Sequence, residues 1–221
     1  MTPVLFDFNG TLFFDADINY WAWKQTIDEL TGGRLDFDEA YARFKGSRNE
    51  LFLKKVFEMM GWPEDKEKIA YWAKRKETSY YHTYCYEHER NRLSPGAADL
   101  LDYLKENNAP FNLCTASIKE NIDLYFDYIG LKKWFDRDLI AYDDGTFANK
   151  IDMYRACAER IGFHISDCIV IEDSPTSMME AARAGCRNIV AMKNDDTPDL
   201  QEIRQIINDF TEFDRSILED R

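Results

Sequence analysis

The sequence lacks the residue spacings that hold transition metals or build disulfide frameworks. Its 5 cysteines are odd in number and scattered, with no Cys-x-x-Cys pair, and its 3 histidines share no metal-ligand spacing. A zinc site and a redox-active dithiol are therefore not expected, and the thiols are predicted to be reduced and buried.

Long apolar runs and an excess of positive charge are also missing. No apolar run approaches the length that a bilayer requires, and the N-terminus shows no basic stretch followed by a cleavage site, so a cytoplasmic protein is expected. The 28 basic residues against 41 acidic ones give a net charge of -13. Such a surface repels nucleic acid and anionic membranes, so neither is an expected partner. The oligomeric state stays open, with a monomer favoured.

The sequence does contain a repeated alternation of short apolar runs with helical periodicity. Runs rich in β-forming residues occur at 3–8, 111–115, 139–142, 168–172 and 188–192, and amphipathic stretches cover 97–107, 118–129, 152–161 and 174–184. This alternation predicts an α/β fold with a Rossmann-like, doubly wound parallel sheet. The acidic tail beyond Pro198 is predicted to be partly helical.

One segment breaks the alternation. Residues 15–92 contain no strand-like run but at least three amphipathic stretches, around 20–30, 50–60 and 69–86. A helical subdomain inserted after the first strand is the simplest explanation. We therefore expect an α/β core formed by residues 1–14 and 93–221, and a helical cap subdomain formed by residues 15–92.

Polar residues follow the ends of the predicted strands. In an open parallel sheet, ligands bind at the carboxyl ends of the strands, so these residues are expected to meet at one edge. They are Asp7-Phe8-Asn9-Gly10-Thr11 after the first run, Thr115-Ala116-Ser117 after the second, Lys150 after the third and Glu172-Asp173-Ser174 after the fourth.

This set of side chains is suited to phosphoryl transfer. Asp7 would attack phosphorus, while a divalent cation held by Asp7 and the Glu172-Asp173 pair would screen two anions that otherwise repel. Lys150 and Thr115 would hold the remaining phosphate oxygens. The plain structural alternative is that Thr115 and Ser117 cap the next helix, a role compatible with phosphate binding at the N-terminus of that helix.

The same residues resemble the four motifs of the haloacid dehalogenase-like hydrolases. Asp7-x-Asn9-Gly10-Thr11, Thr115, Lys150 and Glu172-Asp173 occur in the order and approximate spacing of those motifs, over residues 3–192. The chain is most similar to the β-phosphoglucomutase-like branch, which inserts a helical cap at this point. Three segments resemble parts of that cap: Ala22-Trp23-Lys24, Lys45-Gly46-Ser47-Arg48 and Ala73-Lys74-Arg75-Lys76.

The resemblance implies an enzyme, namely a Mg²⁺-dependent phosphatase that acts on a small phosphorylated metabolite through an aspartyl-phosphate intermediate. It implies a metal site formed by Asp7, the backbone carbonyl of Asn9, Glu172 and Asp173. It also implies a phosphate site formed by Thr115, Ala116, Ser117 and Lys150. In the cap, Arg48 and Lys76 are candidate contacts for a distal anionic group of the substrate.

Asn9 is the main departure from the family pattern. Phosphatases and mutases of the superfamily place there an aspartate that protonates the leaving oxygen and later activates water, whereas an amide cannot exchange protons near neutral pH. Such acid–base catalysis is typically worth about 10² to 10⁴ in rate. A weakened phosphatase that favours acyl or aryl phosphates is therefore expected. Because glycine follows it, Asn9 is also prone to deamidation.

Two alternatives stay open. One is a catalytically silent relative that binds a phosphorylated ligand and signals through cap closure. The other is a phosphonatase-type hydrolase, which would need a cap lysine, such as Lys24, Lys45 or Lys76, to form a Schiff base.

Overall fold

Two structural units make up the chain. The computed structural model describes residues 1–44 and 49–219. The core unit consists of Met1–Phe14 and Asn91–Arg221, and the cap unit consists of Asp15–Arg90. The second boundary therefore falls at residue 90, where the sequence suggested 92.

The core unit is built on a parallel sheet whose described strands follow the order β3-β2-β1-β4-β5-β6. The strands are β1 Val4–Phe6, β2 Phe111–Ile118, β3 Ala141–Asp143, β4 Ile169–Glu172, β5 Asn188–Met192 and β6 Ile203–Ile207. The chain adds β2 and β3 on one side of β1 and the later strands on the other side. The doubly wound parallel sheet is thus confirmed. Its direction of winding reverses between β1 and β4, where ligands bind in such sheets.

The cap unit is helical in its described residues. Its helices are α1 Ala16–Thr31, α2 Phe37–Phe44, α3 Asn49–Met59, α4 Lys66–Arg75 and α5 His82–Glu87, with a π-helical segment Lys76–Tyr81 between the last two. Apolar residues at helical spacing form its core, which includes Trp23, Ile27, Phe52, Val56 and Phe57. The short helix α2 was not expected from the sequence.

Four further helices pack in the core unit: α6 Ala97–Glu106, α7 Lys119–Leu124, α8 Lys150–Arg160 and α9 Pro175–Ala184. Local signals explain the last two. The Asn149 side chain caps α8, and the Ser174 side chain caps α9, which begins with proline and ends at left-handed Gly185. The predicted helix 118–129 is α7 followed by a π-helical turn, Tyr125–Ile129.

The central strands are buried along their whole length. All residues of β1 and β4 are buried, as expected where helices cover both faces of a parallel sheet. On one face, the rings of Phe6, Phe111 and Phe135 make edge-on contacts with centroids 5.4–6.4 Å apart. Burying one such ring stabilises the fold by roughly 1.5 to 3 kcal/mol. This rigid centre holds the β1 and β4 carboxyl ends in place.

The C-terminal tail corrects one prediction. It forms the edge strand β6 and the 3₁₀ turns Phe210–Glu212 and Arg215–Leu218, and its described part contains no α-helix. The branched Ile203 and Ile207 alternate with exposed Arg204 and Ile206, which is the period of a strand.

All five cysteines are among the described residues, and each is a buried thiol outside any disulfide. No described helix has both the length and the apolar character needed to cross a bilayer.

Candidate active site

Asp7 emerges from β1 at the carboxyl edge of the sheet and is 5% exposed. Its Oδ1 accepts a hydrogen bond from Lys150 Nζ at 2.8 Å, and the same ammonium donates to Glu172 Oε1. Burial, with repulsion from Glu172, raises the pKa of Asp7 to about 7, although Lys150 opposes the rise. Burial also lowers the pKa of Lys150, but attraction to the two carboxylates outweighs it and lifts that pKa above its usual range. One buried cation therefore bridges two buried carboxylates.

Glu172 is fully buried and holds this bridge together. Its Oε1 also accepts from Tyr154 OH at 2.7 Å, and its Oε2 accepts from the backbone N–H groups of Asp173 and Ser174 at 2.9 and 3.0 Å. These bonds shape the turn after β4 from which the Asp173 side chain projects. Glu172 thus fixes both the lysine and the next carboxylate.

Asp7, Glu172 and Asp173 form a group that fits a divalent cation. One oxygen from each lies within 4.8 Å of the others. Oxygens around an octahedral Mg²⁺ are about 3 Å apart when adjacent and about 4.2 Å apart when opposite, so the three side chains are near enough to converge on one ion by small movements. The three carboxylates and the Lys150 ammonium together carry a formal charge of −2. A hard divalent cation with oxygen ligands balances that charge.

The turn after β1 leaves room for Asp173 only because residue 10 is glycine. Gly10 has φ +77°, and a Cβ added there would lie 2.2 Å from Asp173 Oδ2. The Gly10 N–H donates to Phe13 O at 2.8 Å, which closes the turn. The backbone of this turn therefore lies directly against the Asp173 carboxylate.

A second cluster surrounds the Asn9 side chain. Its Oδ1 accepts hydrogen bonds from Ser117 Oγ at 2.7 Å and from Tyr125 OH at 3.1 Å. Thr115 Oγ1 in turn donates to Ser117 Oγ at 3.1 Å and accepts from the Ser117 N–H at 3.2 Å. The hydroxyls predicted at the end of β2 thus meet the residue that replaces the family aspartate.

Comparison with known proteins identifies the fold family. A sequence profile described as haloacid dehalogenase-like hydrolase matches residues 2–185. The chain belongs to this family. The family assignment made from the four motifs is therefore confirmed, and the chain is a hydrolase by membership.

Solved structures and curated relatives show which members of the family this chain is similar to. A haloacid dehalogenase hydrolase of family IA, variant 3, from Entamoeba histolytica has a TM-score of 0.86 at 29% identity, covering 98% of this chain and 96% of that one. β-Phosphoglucomutase from Clostridium difficile has a TM-score of 0.77 at 21% identity, covering 99% and 96%, and shares the fold. A probable pseudouridine-5'-phosphatase from Drosophila melanogaster is 28% identical over 86% of this chain and 81% of its own length. The chain spans less than half the length of several other curated relatives that it matches.

The alternative role of Thr115 and Ser117, as caps of the next helix, is wrong for this hydrolase. Strand β2 continues to Ile118, and α7 begins at Lys119 with no side-chain cap bond. The two hydroxyls instead bond each other and Asn9, while Ala116 between them is exposed. Their part in holding phosphate stays a prediction.

In the cap unit, Lys76 is buried among polar partners. Its ammonium donates to Asn19 Oδ1 at 2.6 Å and to Glu77 Oε1 at 2.9 Å, and it lies 5.4 Å from the centroid of the Trp23 ring. Its contact with substrate stays a prediction. Arg48 lies outside the described residues, as does Lys45.

Sequence reasoning missed two tyrosines of the site. Tyr154 lies one helical turn after Lys150, and this i,i+4 spacing is a signal that could have found it. Tyr125 lies in the π-helical turn Tyr125–Ile129, which the sequence does not announce. Such single-turn π segments often occur at functional sites.

Proposed function

We propose that the chain is a Mg²⁺-dependent phosphatase that hydrolyses a small phosphorylated metabolite through a phosphorylated Asp7. The observation that carries this proposal is the group of three carboxylates at the switch point of the sheet, two of which bond one buried ammonium. Family membership and the phosphatase named among its relatives support it.

Each residue of the site has a distinct part in this proposal. Asp7, the Asn9 carbonyl and Asp173 would hold Mg²⁺, which would supply the positive charge that screens the nucleophile from the phosphoryl oxygens. Glu172 would contribute only at the edge of the metal site. Both of its oxygens already accept hydrogen bonds from the protein, which leaves them less free to bind an ion. Its main effect would be to hold Lys150 in place.

The reaction would proceed by two displacements at phosphorus. An Asp7 carboxylate oxygen bonds to phosphorus while the ester P–O bond breaks, and the electron pair stays on the leaving oxygen. Lys150 stays protonated, because its pKa lies above the usual range, and it holds the phosphoryl oxygens together with the Thr115 hydroxyl, turned from Ser117 to the phosphate, and the Ala116 and Ser117 N–H groups. The Ser117 hydroxyl stays on Asn9. Water then attacks the phosphorylated Asp7, which releases phosphate and restores the carboxylate.

The Asn9 side chain neither gives nor takes a proton in these steps. The leaving oxygen must therefore depart as an anion that solvent protonates afterwards. Esters with acidic leaving groups, namely acyl and aryl phosphates, should turn over best.

The test compares an aryl phosphate with a hexose phosphate, with Mg²⁺, in the protein and in Asn9→Asp. The substitution should raise hexose phosphate turnover by about 10² to 10⁴, the usual value of acid–base catalysis. Aryl phosphate turnover should rise much less. Asp7→Asn should abolish both activities and the phosphorylated Asp7 peptide found after acid quench. Unchanged hexose phosphate turnover in Asn9→Asp would refute this account of Asn9.

Asn9 also favours a second candidate, a silent relative that binds a phosphorylated ligand. Stabilisation against heat by a phosphorylated metabolite, with no hydrolysis and no activity in Asn9→Asp, would decide for it.

A phosphonatase is less well supported. A Schiff base requires a neutral amine, but a hydrogen bond from Lys24 to Asp28 raises the pKa of Lys24. Borohydride trapping with phosphonoacetaldehyde tests this alternative directly.

A further inference from the structure

Tyr125 places a buried phenol beside the residue that replaces the family aspartate. The side chain is 0% exposed, and its ring lies 4.0 Å from the Phe8 ring centroid, tilted by 34°. Phe8 stands between Asp7 and Asn9 in the chain and is itself fully buried. The phenol is therefore fixed against the same turn that carries the nucleophile.

The hydrogen bonds of this cluster place the Asn9 amide oxygen against the phenol and the Ser117 hydroxyl. Ser117 Oγ lies 2.7 Å and Tyr125 OH lies 3.1 Å from Asn9 Oδ1. Ser117 Oγ accepts from Thr115 Oγ1, donates to Asn9 Oδ1 and lies 3.1 Å from Tyr125 OH, so the three hydroxyls and the amide oxygen form one connected network. The Ser117 and Tyr125 hydroxyls thus both donate to the Asn9 amide oxygen, and the Asn9 NH₂ group lies on the other side of the planar amide.

We propose that Tyr125 is a positioning residue that, with Ser117, holds the Asn9 amide with its NH₂ group turned toward the leaving oxygen of the substrate. This inference rests on the proposed function, because it assigns the amide a part in the same displacement. As the ester P–O bond breaks, the N–H donates a hydrogen bond to the oxygen that retains the electron pair, and the proton comes later from water. Side-chain amide donors of this kind are worth about 10² to 10³ in turnover in other enzymes.

Tyr125→Phe tests the role, with Tyr103→Phe on α6 as the matched control. The Tyr103 ring lies under the Arg215 guanidinium. Both variants are assayed on a series of phosphate esters whose leaving groups range from strongly acidic phenols to alcohols. Tyr125→Phe should lower kcat/KM by up to about tenfold for the alcohol esters, which is the value of one hydrogen bond, and by little for the acidic phenols. Tyr103→Phe should change neither.

A purely structural role for Tyr125 would instead lower turnover of all esters by the same factor, and that outcome overturns the proposal. A double-mutant cycle adds a second criterion. Because Tyr125 acts through Asn9, Tyr125→Phe should have no further effect in an Asn9→Ala background, whereas additive losses would refute the coupling.

An NMR measurement on the wild-type protein is independent of turnover. The Asn9 Hδ2 protons, assigned by their loss in Asn9→Ala, should show weak or no nuclear Overhauser effects to the Tyr125 ring protons. Strong effects would mean that the NH₂ group faces the phenol, and would overturn the proposed orientation. A wild-type protein that hydrolyses none of the esters would refute the proposed function and the effect on turnover, while the NMR result would still decide the orientation.

Discussion

Replacing Gly10 by alanine should separate the metal site from the stability of the fold. At φ +77° the new residue would adopt a left-handed conformation, which costs about 1 to 2 kcal/mol for any residue with a Cβ. The Cβ would also lie 2.2 Å from Asp173 Oδ2 and 2.5 Å from its Cγ. Ordinary contact distances are about 3.5 Å, so the carboxylate must retreat by about 1 Å.

Gly162→Ala supplies the matched control. Gly162 has φ +85°, and nothing lies within 4 Å of its added Cβ, so that variant carries the backbone cost alone. Both variants should therefore lose about 1 to 2 kcal/mol of stability, which lowers Tm by about 2–4 °C per kcal/mol in a chain of this size. Only Gly10→Ala displaces Asp173, and a 1 Å misplacement can cost about 10²-fold in rate.

The assay compares the two variants by the Mg²⁺-dependent rise in Tm and by kcat/KM on an aryl phosphate. Gly10→Ala should lose most of the Mg²⁺ effect and about 10²-fold in kcat/KM, whereas Gly162→Ala should keep both. Equal Mg²⁺ response and equal kcat/KM in the two variants would show that neither Mg²⁺ binding nor turnover depends on the position of the Asp173 carboxylate. The three carboxylates would then not be a metal site of the kind proposed.

Three further outcomes are expected. Lys150→Met should cost about 3 to 5 kcal/mol in metal-free urea unfolding, because it leaves buried carboxylates uncompensated, whereas exposed Lys119→Met should cost less than about 1 kcal/mol. In EDTA, the folded protein keeps the Asp7 proton up to about pH 7, whereas the unfolded chain loses it near the ordinary value of 3.8. Stability should therefore fall as pH rises through that window, by at most about 4 kcal/mol, and Asp7→Asn should lack this part of the fall. In aged native protein, Asn9 should keep its amide, since the Gly10 nitrogen that would attack it is held in a hydrogen bond; peptide mass spectrometry should find deamidation only in samples kept unfolded.

Each of these outcomes has a clear contradiction. Equal losses in Lys150→Met and Lys119→Met would show that the buried ammonium is not needed to balance the carboxylates. If Asp7→Asn leaves the pH dependence of stability unchanged, the raised pKa of buried Asp7 does not cause the fall. Deamidated Asn9 in folded samples would show that the turn opens often.

The positions of the site residues could be predicted because they follow from sheet geometry. Asp7 and Glu172-Asp173 each follow an apolar run, and parallel strands bring such ends together without any knowledge of packing. The two strands proved to be neighbours in the sheet, with Phe6 opposite Ile171 in the register.

The features that the sequence did not predict depend on small differences in local backbone conformation. Residues 118–129 have a continuous helical pattern, and nothing in that pattern shows that the turn at Tyr125 is widened to a π-helix. The extent of β2 to Ile118, which removes the capping role of Ser117, is likewise set by pairing with β3. Edge strand β6 was missed because alternation over five residues competes poorly with a polar, acidic surrounding sequence.

Because all five cysteines are buried, the rate at which each is alkylated reports how often its part of the molecule opens. Each thiol is at most 2% exposed, and burial raises the pKa of Cys85 and Cys168 to about 12, so the reactive thiolate is scarce in the folded chain. Alkylating reagents should therefore modify the protein only as fast as its segments open. Cys85 lies in the cap unit and the other four lie in the core unit. Counting modified peptides over time would thus report the opening rate of each unit separately, with no engineered label.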